Sequence, residues 1–456
     1  MNRALNREIL RLSVPSILAN LTVPLVGMVD TAVAGHLPSG SAAAFIGAIS
    51  VGAMLFNLLY WNFGFLRTGT GGLTAQSLGR EDMHGCALIL ARSLVLALGV
   101  SVVVLLLQRP FVRLGMLCVQ ASPVVEDLAL RYFFVRIWAA PATLSLMAFS
   151  GWFVGMQDSM SSMWKDLIVN GVNIVASIVL ALGCGGWRGL GFVGVAWGTV
   201  IAQYSGLLFC LAVCAVKYRK VFATFSRHDL SDIFSGEKMH GFFRMNVNLF
   251  GRSVFFTAIY VGYTLIAAQY TDVMLACSSV MMQLLMIFSY FTDGFAYAGE
   301  ALTGRFIGAR DETLLRRTVR YIFIWSMSIA VLFVGLYMAG GVPVLRLLTS
   351  DATVVEACRQ FLPWLILMPP LGCAAFTWDG IFLGATASRS ICMAMVWAAV
   401  GFFAVWFCAK FVLVMPSAGT PRYDSLAIHC LMAAYFAHLL ARTIYLTLRY
   451  RKDINV

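Results

Sequence analysis

The chain has 456 residues, of which 60% are hydrophobic and only 12% are charged, and its mean hydropathy is +0.83. This composition excludes a soluble globular protein, because such proteins contain about 25% charged residues. The formal net charge is +12, but the basic residues lie at the ends of apolar segments and in loops. They therefore indicate membrane topology, and no nucleic-acid partner is expected.

Twelve apolar segments follow one another along the chain. They are predicted at 12–36, 43–66, 86–107, 127–150, 163–184, 191–216, 241–267, 275–299, 318–341, 360–383, 390–413 and 426–448. A helix that crosses a bilayer needs about 20 apolar residues. The predicted fold is an all-α polytopic membrane protein with twelve transmembrane helices, in which the first apolar segment is retained as a helix.

Twelve spans place both termini on one side of the membrane. Most of the 33 Lys and Arg residues fall on that side, among them Arg442 and the tail residues Arg449, Arg451 and Lys452. Because cytoplasmic loops carry the excess of Lys and Arg, both termini are predicted to be cytoplasmic.

The first segment contains an acid, Asp30, and two prolines, Pro15 and Pro24. An ionised carboxylate inside the bilayer costs roughly 2.5–3.5 kcal/mol on insertion scales, so it is kept for a partner, a water-filled cavity or a titration. Prolines remove helix hydrogen bonds and allow bending. A proton-coupled carrier requires at least an acid that can bind a proton and a helix that can bend, and the first segment offers both.

A polar linker, 217–240, divides the chain into a predicted N-lobe, 1–216, and a predicted C-lobe, 241–456. With an even number of helices in each, the two lobes have the same topology, as in parallel-repeat transporters. The substrate site is expected in a cavity between or within the two bundles.

Two sequence matches show that these halves repeat. TAQSLGRED at 74–82 aligns with TGRFIGARD at 303–311, and GWFVGMQDS at 151–159 aligns with GIFLGATAS at 380–388, both at an offset of 229 residues. At this offset Asp30 corresponds to Ile259. The acid therefore belongs to one half only, which favours a functional role over a role in the shared scaffold.

Four motifs resemble the multidrug and toxic compound extrusion (MATE) family, and within it the DinF-type branch. These are VGMVDTAVAGHL around Asp30, the LGRED turn, DGFAYAGEALTGRFIGARD at 293–311 and DGIFLGA at 379–385. The resemblance implies two six-helix lobes in the cytoplasmic membrane of a bacterium, exporting organic compounds against inward proton or sodium flow. It also implies that Asp30 is the protonation site and that Pro15 marks the point of bending.

Polar residues of the fifth segment are predicted to surround the acid. The family has an asparagine at the position of Asn173; Asn170 lies on the same helix face, and Asn20 adds an amide on the first segment. The alternative is helix–helix hydrogen bonding worth ~0.6–2 kcal/mol each. Related sequences often have a second acid where this chain has Ser177, so a two-acid relay or a sodium site is disfavoured here.

In the second half, Arg252 and Asp293 are expected at similar depths on consecutive helices, since a helix rises 1.5 Å per residue. An Arg252–Asp293 pair is therefore predicted, with a structural salt bridge as the favoured interpretation. Glu300 and Asp379 are two further acids of this half without an assigned role.

Aromatic residues and methionine are abundant. Tyr60, Trp61 and Met28 are candidates to line a cavity for flat lipophilic cations, although most such residues in a membrane protein face lipid.

The resulting hypothesis is a monomeric, proton-coupled exporter of small cationic or amphipathic organic compounds that works by alternating access, with no cofactor and no metal site. Sodium coupling, export of organic acids and flipping of a lipid-linked sugar are the alternatives. A flippase needs several basic residues within spans, where only Arg136 and Arg252 are found. A lipid-modifying enzyme is disfavoured because the sequence shows no polar catalytic cluster at an interface. ATP hydrolysis is not expected, because the sequence has no Walker motif.

Overall fold

A computed structural model describes residues 3–37, 41–117, 122–223, 236–346, 348–349 and 351–454, and only the backbone of 236–238. Within these ranges, twelve helices are long and apolar enough to cross a membrane. The predicted all-α polytopic fold with twelve transmembrane helices is confirmed.

The spanning helices are numbered in chain order. They are α1 (Arg3–Gly35), α2 (Ala42–Gly79), α3 (Met83–Leu106), α4 (Pro123–Gly155), α5 (Ser159–Leu182), α6 (Phe192–Val216), α7 (Gly236–Ala267), α8 (Asp272–Gly308), α9 (Glu312–Arg346), α10 (Ala352–Gly384), α11 (Ser388–Ser417) and α12 (Tyr423–Asp453). Short helices, Gln108–Leu117 and Arg219–Phe222, follow α3 and α6. Several helices extend past the predicted segments, because hydropathy detects only the part of a helix that crosses the apolar layer.

The predicted linker falls partly outside the described residues, which omit 224–235. The described parts on either side are helical, with Arg219–Phe222 before the gap and the start of α7 at Gly236 after it.

Contacts divide the chain into two compact units. The N-unit is Leu18–Phe243, and the C-unit combines Met1–Ile17 with Arg244–Val456. The first half of α1 is held in the C-unit by Glu8, which accepts a hydrogen bond from Arg305 over 2.7 Å. The predicted lobes differ from these units at α1, because a helix of 33 residues can pack its two halves against different partners.

The structure confirms the repeat. Backbone φ is positive at four described residues other than glycine: Glu81, Gln157, Arg310 and Thr386. They form two pairs at the offset of 229 residues, and each residue lies two positions after the last residue of a helix. L-residues adopt this conformation rarely, so its recurrence at equivalent positions identifies the two halves as structural repeats.

Equivalent glycines set the closest helix crossings. A Cβ atom on Gly151 would lie 2.0 Å from the carbonyl oxygen of Arg67, and one on Gly380 would lie 2.1 Å from that of Ala296. Glycine therefore allows backbone contact between α2 and α4 in the N-unit and between α8 and α10 in the C-unit. Small residues serve this purpose at transmembrane helix interfaces.

Candidate functional site

Asp30 is buried within the N-unit, with only 5% of the residue exposed. Its Oδ1 atom has no hydrogen-bond partner among the described residues. The side chain of Ser177 on α5 lies beside the carboxylate. A buried polar atom without a partner is rare in native structures, so this oxygen is poised to bind a proton or a ligand.

Arg136 of α4, a basic residue within an apolar segment, is held by aromatic side chains of the N-unit. Its Nη1 atom donates a hydrogen bond to the hydroxyl of Tyr132 over 2.7 Å, and its Cζ atom lies 4.7 Å from the ring centroid of Phe56. Tyr132 and Arg136 are four residues apart and share one face of α4. Its signal in the sequence is a basic residue inside an apolar segment. At the offset of 229, the counterpart of Arg136 in the second half is Leu365.

A hydrogen bond between α5 and α6 borders this cluster. The Nδ2 atom of Asn173 donates to the Oγ1 atom of Thr199 over 3.0 Å, and Thr199 also lies beside the hydroxyl of Tyr132. The Oδ1 atom of Asn173 is buried and has no partner in the described part of the chain. Asn173 thus joins the cluster through Thr199 and Tyr132.

The other asparagines of the predicted network lie further along the helices. Asn170 donates to Thr22 of α1 over 2.6 Å, eight residues before Asp30, so it links α5 to α1. Asn20 is half-buried on the same stretch of α1. Of the side chains predicted to surround Asp30, the structure brings Ser177 closest.

The predicted bending and cavity residues occupy different environments. Pro15 is buried in the C-unit part of α1, Pro24 is exposed in the N-unit part, and α1 is helical through both. Met28 and Trp61 are 68% and 38% exposed, whereas the hydroxyl of Tyr60 is buried. Bending at the prolines and substrate contact at Met28, Tyr60 and Trp61 stay predictions.

In the C-unit, Arg252 pairs with an acid other than the predicted one. Its Nη2 atom lies 2.7 Å from Oδ2 of Asp379 on α10. The predicted partner, Asp293, accepts a hydrogen bond from Ser289 one turn earlier on α8, over 3.4 Å. The prediction of equal depth did not fix the rotation of α7, which turns this face towards α10.

Asp379 also faces a second guanidinium. The Nε atom of Arg442 on α12 lies 3.6 Å from Oδ1 of Asp379, and its guanidinium lies over the ring of Phe376. Arg442, which the sequence analysis counted among the basic residues of the cytoplasmic side, is a buried residue of α12 that is only 2% exposed. The acid supplies the partner that keeps this arginine inside the protein. Two guanidinium groups against one carboxylate leave this cluster with a local excess of positive charge.

The two polar clusters lie at different places in the repeat. At the offset of 229, the N-unit residues Asp30, Tyr132, Arg136, Asn173, Ser177 and Thr199 correspond to Ile259, Phe361, Leu365, Phe402, Trp406 and Ile428. All six counterparts belong to the hydrophobic core of the C-unit. Each unit therefore carries its own polar site on a shared scaffold.

Within the described ranges, no group of three or more His, Cys, Asp or Glu side chains is placed to hold a metal ion. The side chain beside Asp30 is instead the neutral hydroxyl of Ser177. This arrangement can exchange a proton or bind a polar organic group.

Comparison with known proteins adds independent information. The family model MatE matches residues 15–179 and 249–415, one stretch in each half. The chain is 33% identical over 405 residues to DNA damage-inducible protein F of Escherichia coli K12, which covers 87% of this chain and 84% of the relative. It is 27% identical to a probable multidrug resistance protein NorM of Caulobacter vibrioides, over 72% of this chain and 68% of the relative.

Solved structures share the fold. A MATE protein in a straight conformation has a TM-score of 0.83 at 18% identity, covering 99% of this chain and 96% of its own. An outward-facing multidrug resistance MATE family transporter has a TM-score of 0.82 at 19% identity, with the same coverage.

Proposed function

Because this chain belongs to the MatE family of membrane transporters, we propose that it exports small organic compounds by proton-coupled antiport, with Asp30 binding the coupling proton. The protein is an integral inner-membrane transporter and not an enzyme. The multidrug resistance proteins among its relatives support organic compounds as the substrate class.

The observation that carries this proposal is the buried carboxylate of Asp30, whose Oδ1 atom makes no hydrogen bond within the described ranges. Intramembrane acids of this kind occur in proton relays of pumps and transporters. A proton can neutralise Asp30 without any further ligand. A sodium ion would need several oxygen ligands, and no group of three or more His, Cys, Asp or Glu side chains in the described ranges is placed to hold a metal ion.

Coupling follows from competition for one acid. In the state open to the cytoplasm, an organic cation binds near ionised Asp30, and the two units then rearrange to open the site outward. A proton from outside neutralises Asp30, the substrate loses its counter-charge and leaves, and the proton is released inside after the return. Since the proton and the substrate exclude each other, neither crosses without the exchange.

The proposed substrates are cationic or amphipathic, because Tyr60, Trp61 and Met28 offer aromatic and polarisable surface for lipophilic cations. All proposed coupling residues belong to one chain, so the monomer is the expected transporting unit. Both termini are expected in the cytoplasm.

Antiport in proteoliposomes tests this function, with ethidium as the probe and an imposed proton or sodium gradient. A proton gradient is expected to drive ethidium transport in the native protein and not in Asp30→Asn, whereas Asp127→Asn, at an exposed surface acid, behaves as native. Full transport by Asp30→Asn, transport driven by sodium alone, or no ethidium transport in any variant would contradict the proposal.

A second candidate function, export of organic anions, is favoured by the C-unit cluster, in which Arg252 and Arg442 face the single carboxylate of Asp379. Its test is the same assay with carboxyfluorescein as the probe. Transport of this anion that is lost in Arg252→Gln and kept in Asp30→Asn would favour the second function over the first.

A further inference from the structure

We propose that the N-unit binds one anionic phospholipid in a groove between the short helix Gln108–Leu117 and α4, with the lipid phosphate held by Arg109 and Arg113. This binding site involves neither Asp30 nor the C-unit cluster, and it does not depend on proton coupling. The lipid belongs to the leaflet at which α3 ends, which is the periplasmic leaflet when both termini are cytoplasmic.

The first support is that the short helix has a packed side and an exposed side. Phe111 stacks on Phe133 of α4 with ring centroids 6.0 Å apart, and Val112 is 2% exposed. Leu114 and Leu117, in contrast, are 66% and 82% exposed. A helix that is fixed on one side and presents leucine side chains on the other is suited to the interface between lipid and water.

The second support is a pair of basic residues on this helix. Arg109 and Arg113 are four residues apart, so they share one helix face. Both are exposed, and neither forms an ion pair with a residue that the structure describes. Arg131 of α4 differs, because it pairs with Asp127 over 2.9 Å. Arg109 and Arg113 therefore offer two positive charges that a ligand can neutralise.

The third support is the groove itself, which has a volume of about 520 Å³. The two arginines line it together with Gln108 and Val112 of the short helix and Leu130, Phe134 and Trp138 of α4. The three α4 residues recur every four positions and extend ~12 Å along one side of that helix. The groove thus combines two guanidinium groups with an apolar wall, as the phosphate and acyl chain of a phospholipid require.

The charge of the groove favours an anionic lipid over a zwitterionic one. In a zwitterionic headgroup the ammonium neutralises the phosphate of the same molecule, whereas phosphatidylglycerol has a net negative charge. A guanidinium group can donate two parallel hydrogen bonds to a phosphate. A free phosphate ion would leave the apolar wall uncovered, so the acyl chain is part of the proposed ligand.

The repeat shows that the shared scaffold does not require these arginines. At the offset of 229, Arg109 and Arg113 correspond to Met338 and Val342. Both counterparts lie within α9, which is kinked at Gly341. The basic pair therefore belongs to the N-unit alone, as expected for a binding site that only one half carries.

Native mass spectrometry of the full-length protein tests the proposal, with phosphatidylglycerol or phosphatidylethanolamine of the same acyl chains added in detergent. The native protein is expected to bind one phosphatidylglycerol at least ~10-fold more tightly than phosphatidylethanolamine. The double variant Arg109→Gln/Arg113→Gln is expected to lose this preference, because both charges that hold the phosphate are gone. Leu130→Trp, which keeps both arginines and narrows the groove, should also weaken phosphatidylglycerol binding.

The matched control is Arg131→Gln/Arg359→Gln, which removes the same total charge from two exposed ion pairs, those with Asp127 and Glu356. It should keep the native preference. Glycerol 3-phosphate, which has the phosphate without acyl chains, should not displace the lipid.

Equal binding of the two lipids by the native protein would overturn the proposal, and so would unchanged phosphatidylglycerol binding in either groove variant. An equal loss in the control would mean that total charge and not the groove attracts the lipid. Displacement by glycerol 3-phosphate would replace the lipid site with a site for a free phosphate compound.

Discussion

Arg252 and Asp379 form an ion pair inside the C-unit, with Nη2 and Oδ2 2.7 Å apart, and the pair joins α7 to α10. The side chain of Arg252 is 22% exposed, whereas that of Asp379 is 10% exposed and also faces Arg442. The acid is therefore shared by two bases on two different helices. Loss of Asp379 and loss of Arg252 should therefore lower the free energy of unfolding by different amounts.

Asp379→Ala is expected to lower the free energy of unfolding by ~3–5 kcal/mol, because it leaves the buried guanidinium of Arg442 without a counter-charge. Arg252→Leu should lower the free energy of unfolding by less, because Asp379 remains as the counter-charge of Arg442. Unfolding in mixed micelles with increasing sodium dodecyl sulfate measures both. Asp127→Ala, at an exposed pair, is the control and should stay within ~1 kcal/mol of the native protein. Equal losses of unfolding free energy in Asp379→Ala and Arg252→Leu would show that Arg252 and Arg442 do not share Asp379.

Asp158 is expected to make the stability of the N-unit depend on pH. Burial acts to raise the pKa of Asp158, but hydrogen bonds from Lys217, Ser161 and Tyr218 outweigh burial and lower it. A carboxyl whose folded-state pKa is lowered contributes stability that is complete above its unfolded value of about 3.9 and is lost as the pH falls through the folded-state pKa.

The measurement is the thermal midpoint of the native protein and of Asp158→Asn between neutral pH and pH ~3. At neutral pH the variant should be less stable by ~1–3 kcal/mol, because hydrogen bonds to a charged group are lost. At acidic pH the thermal midpoints of the native protein and of Asp158→Asn should converge. A constant difference across the pH range would mean that the charge of Asp158 does not contribute.

Glycine substitutions test the helix crossings of the repeat. Gly151→Ala and Gly380→Ala would place a Cβ atom about 2 Å from a backbone oxygen, so each should destabilise its unit by ~1–3 kcal/mol. Gly171→Ala, at a helical position with no atom within 4 Å, is the control and should be neutral or stabilising. Unfolding in mixed micelles measures all three, and a tolerated Gly380→Ala would contradict the backbone contact between α8 and α10.

The features that could be predicted from the sequence are those set by local chemistry. A run of apolar residues identifies a spanning helix whatever its neighbours are, and the turns at Glu81 and Arg310 recur because the same motif precedes both. The acid Asp30 could be found because a charge in an apolar segment is costly wherever that segment packs.

Partners on other helices could not be predicted in the same way. Hydropathy and rise per residue give the depth of Arg252 but not the direction of its side chain, and Gly251 next to it packs against Cys392 of α11. Hydropathy places Arg442 near the end of the last apolar segment but does not show that its side chain is buried. Its place depends on Asp379, which is remote in sequence.

Ser177 is expected to adjust proton binding at Asp30. Its hydroxyl lies beside the carboxylate, and a donor to the ionised form favours that form. Ser177→Ala should therefore shift the pH dependence of ethidium antiport to higher pH, by less than ~1 pH unit.

The measurement is the initial rate of antiport in proteoliposomes across a series of internal and external pH values. Ser101→Ala is the matched control, because Ser101 is a buried serine of the N-unit that donates to the carbonyl oxygen of Leu98 in its own helix. It should leave the profile in place. A profile that moves to lower pH in Ser177→Ala would mean that the hydroxyl accepts a hydrogen bond from the protonated acid, and Ser177 would then favour the protonated state.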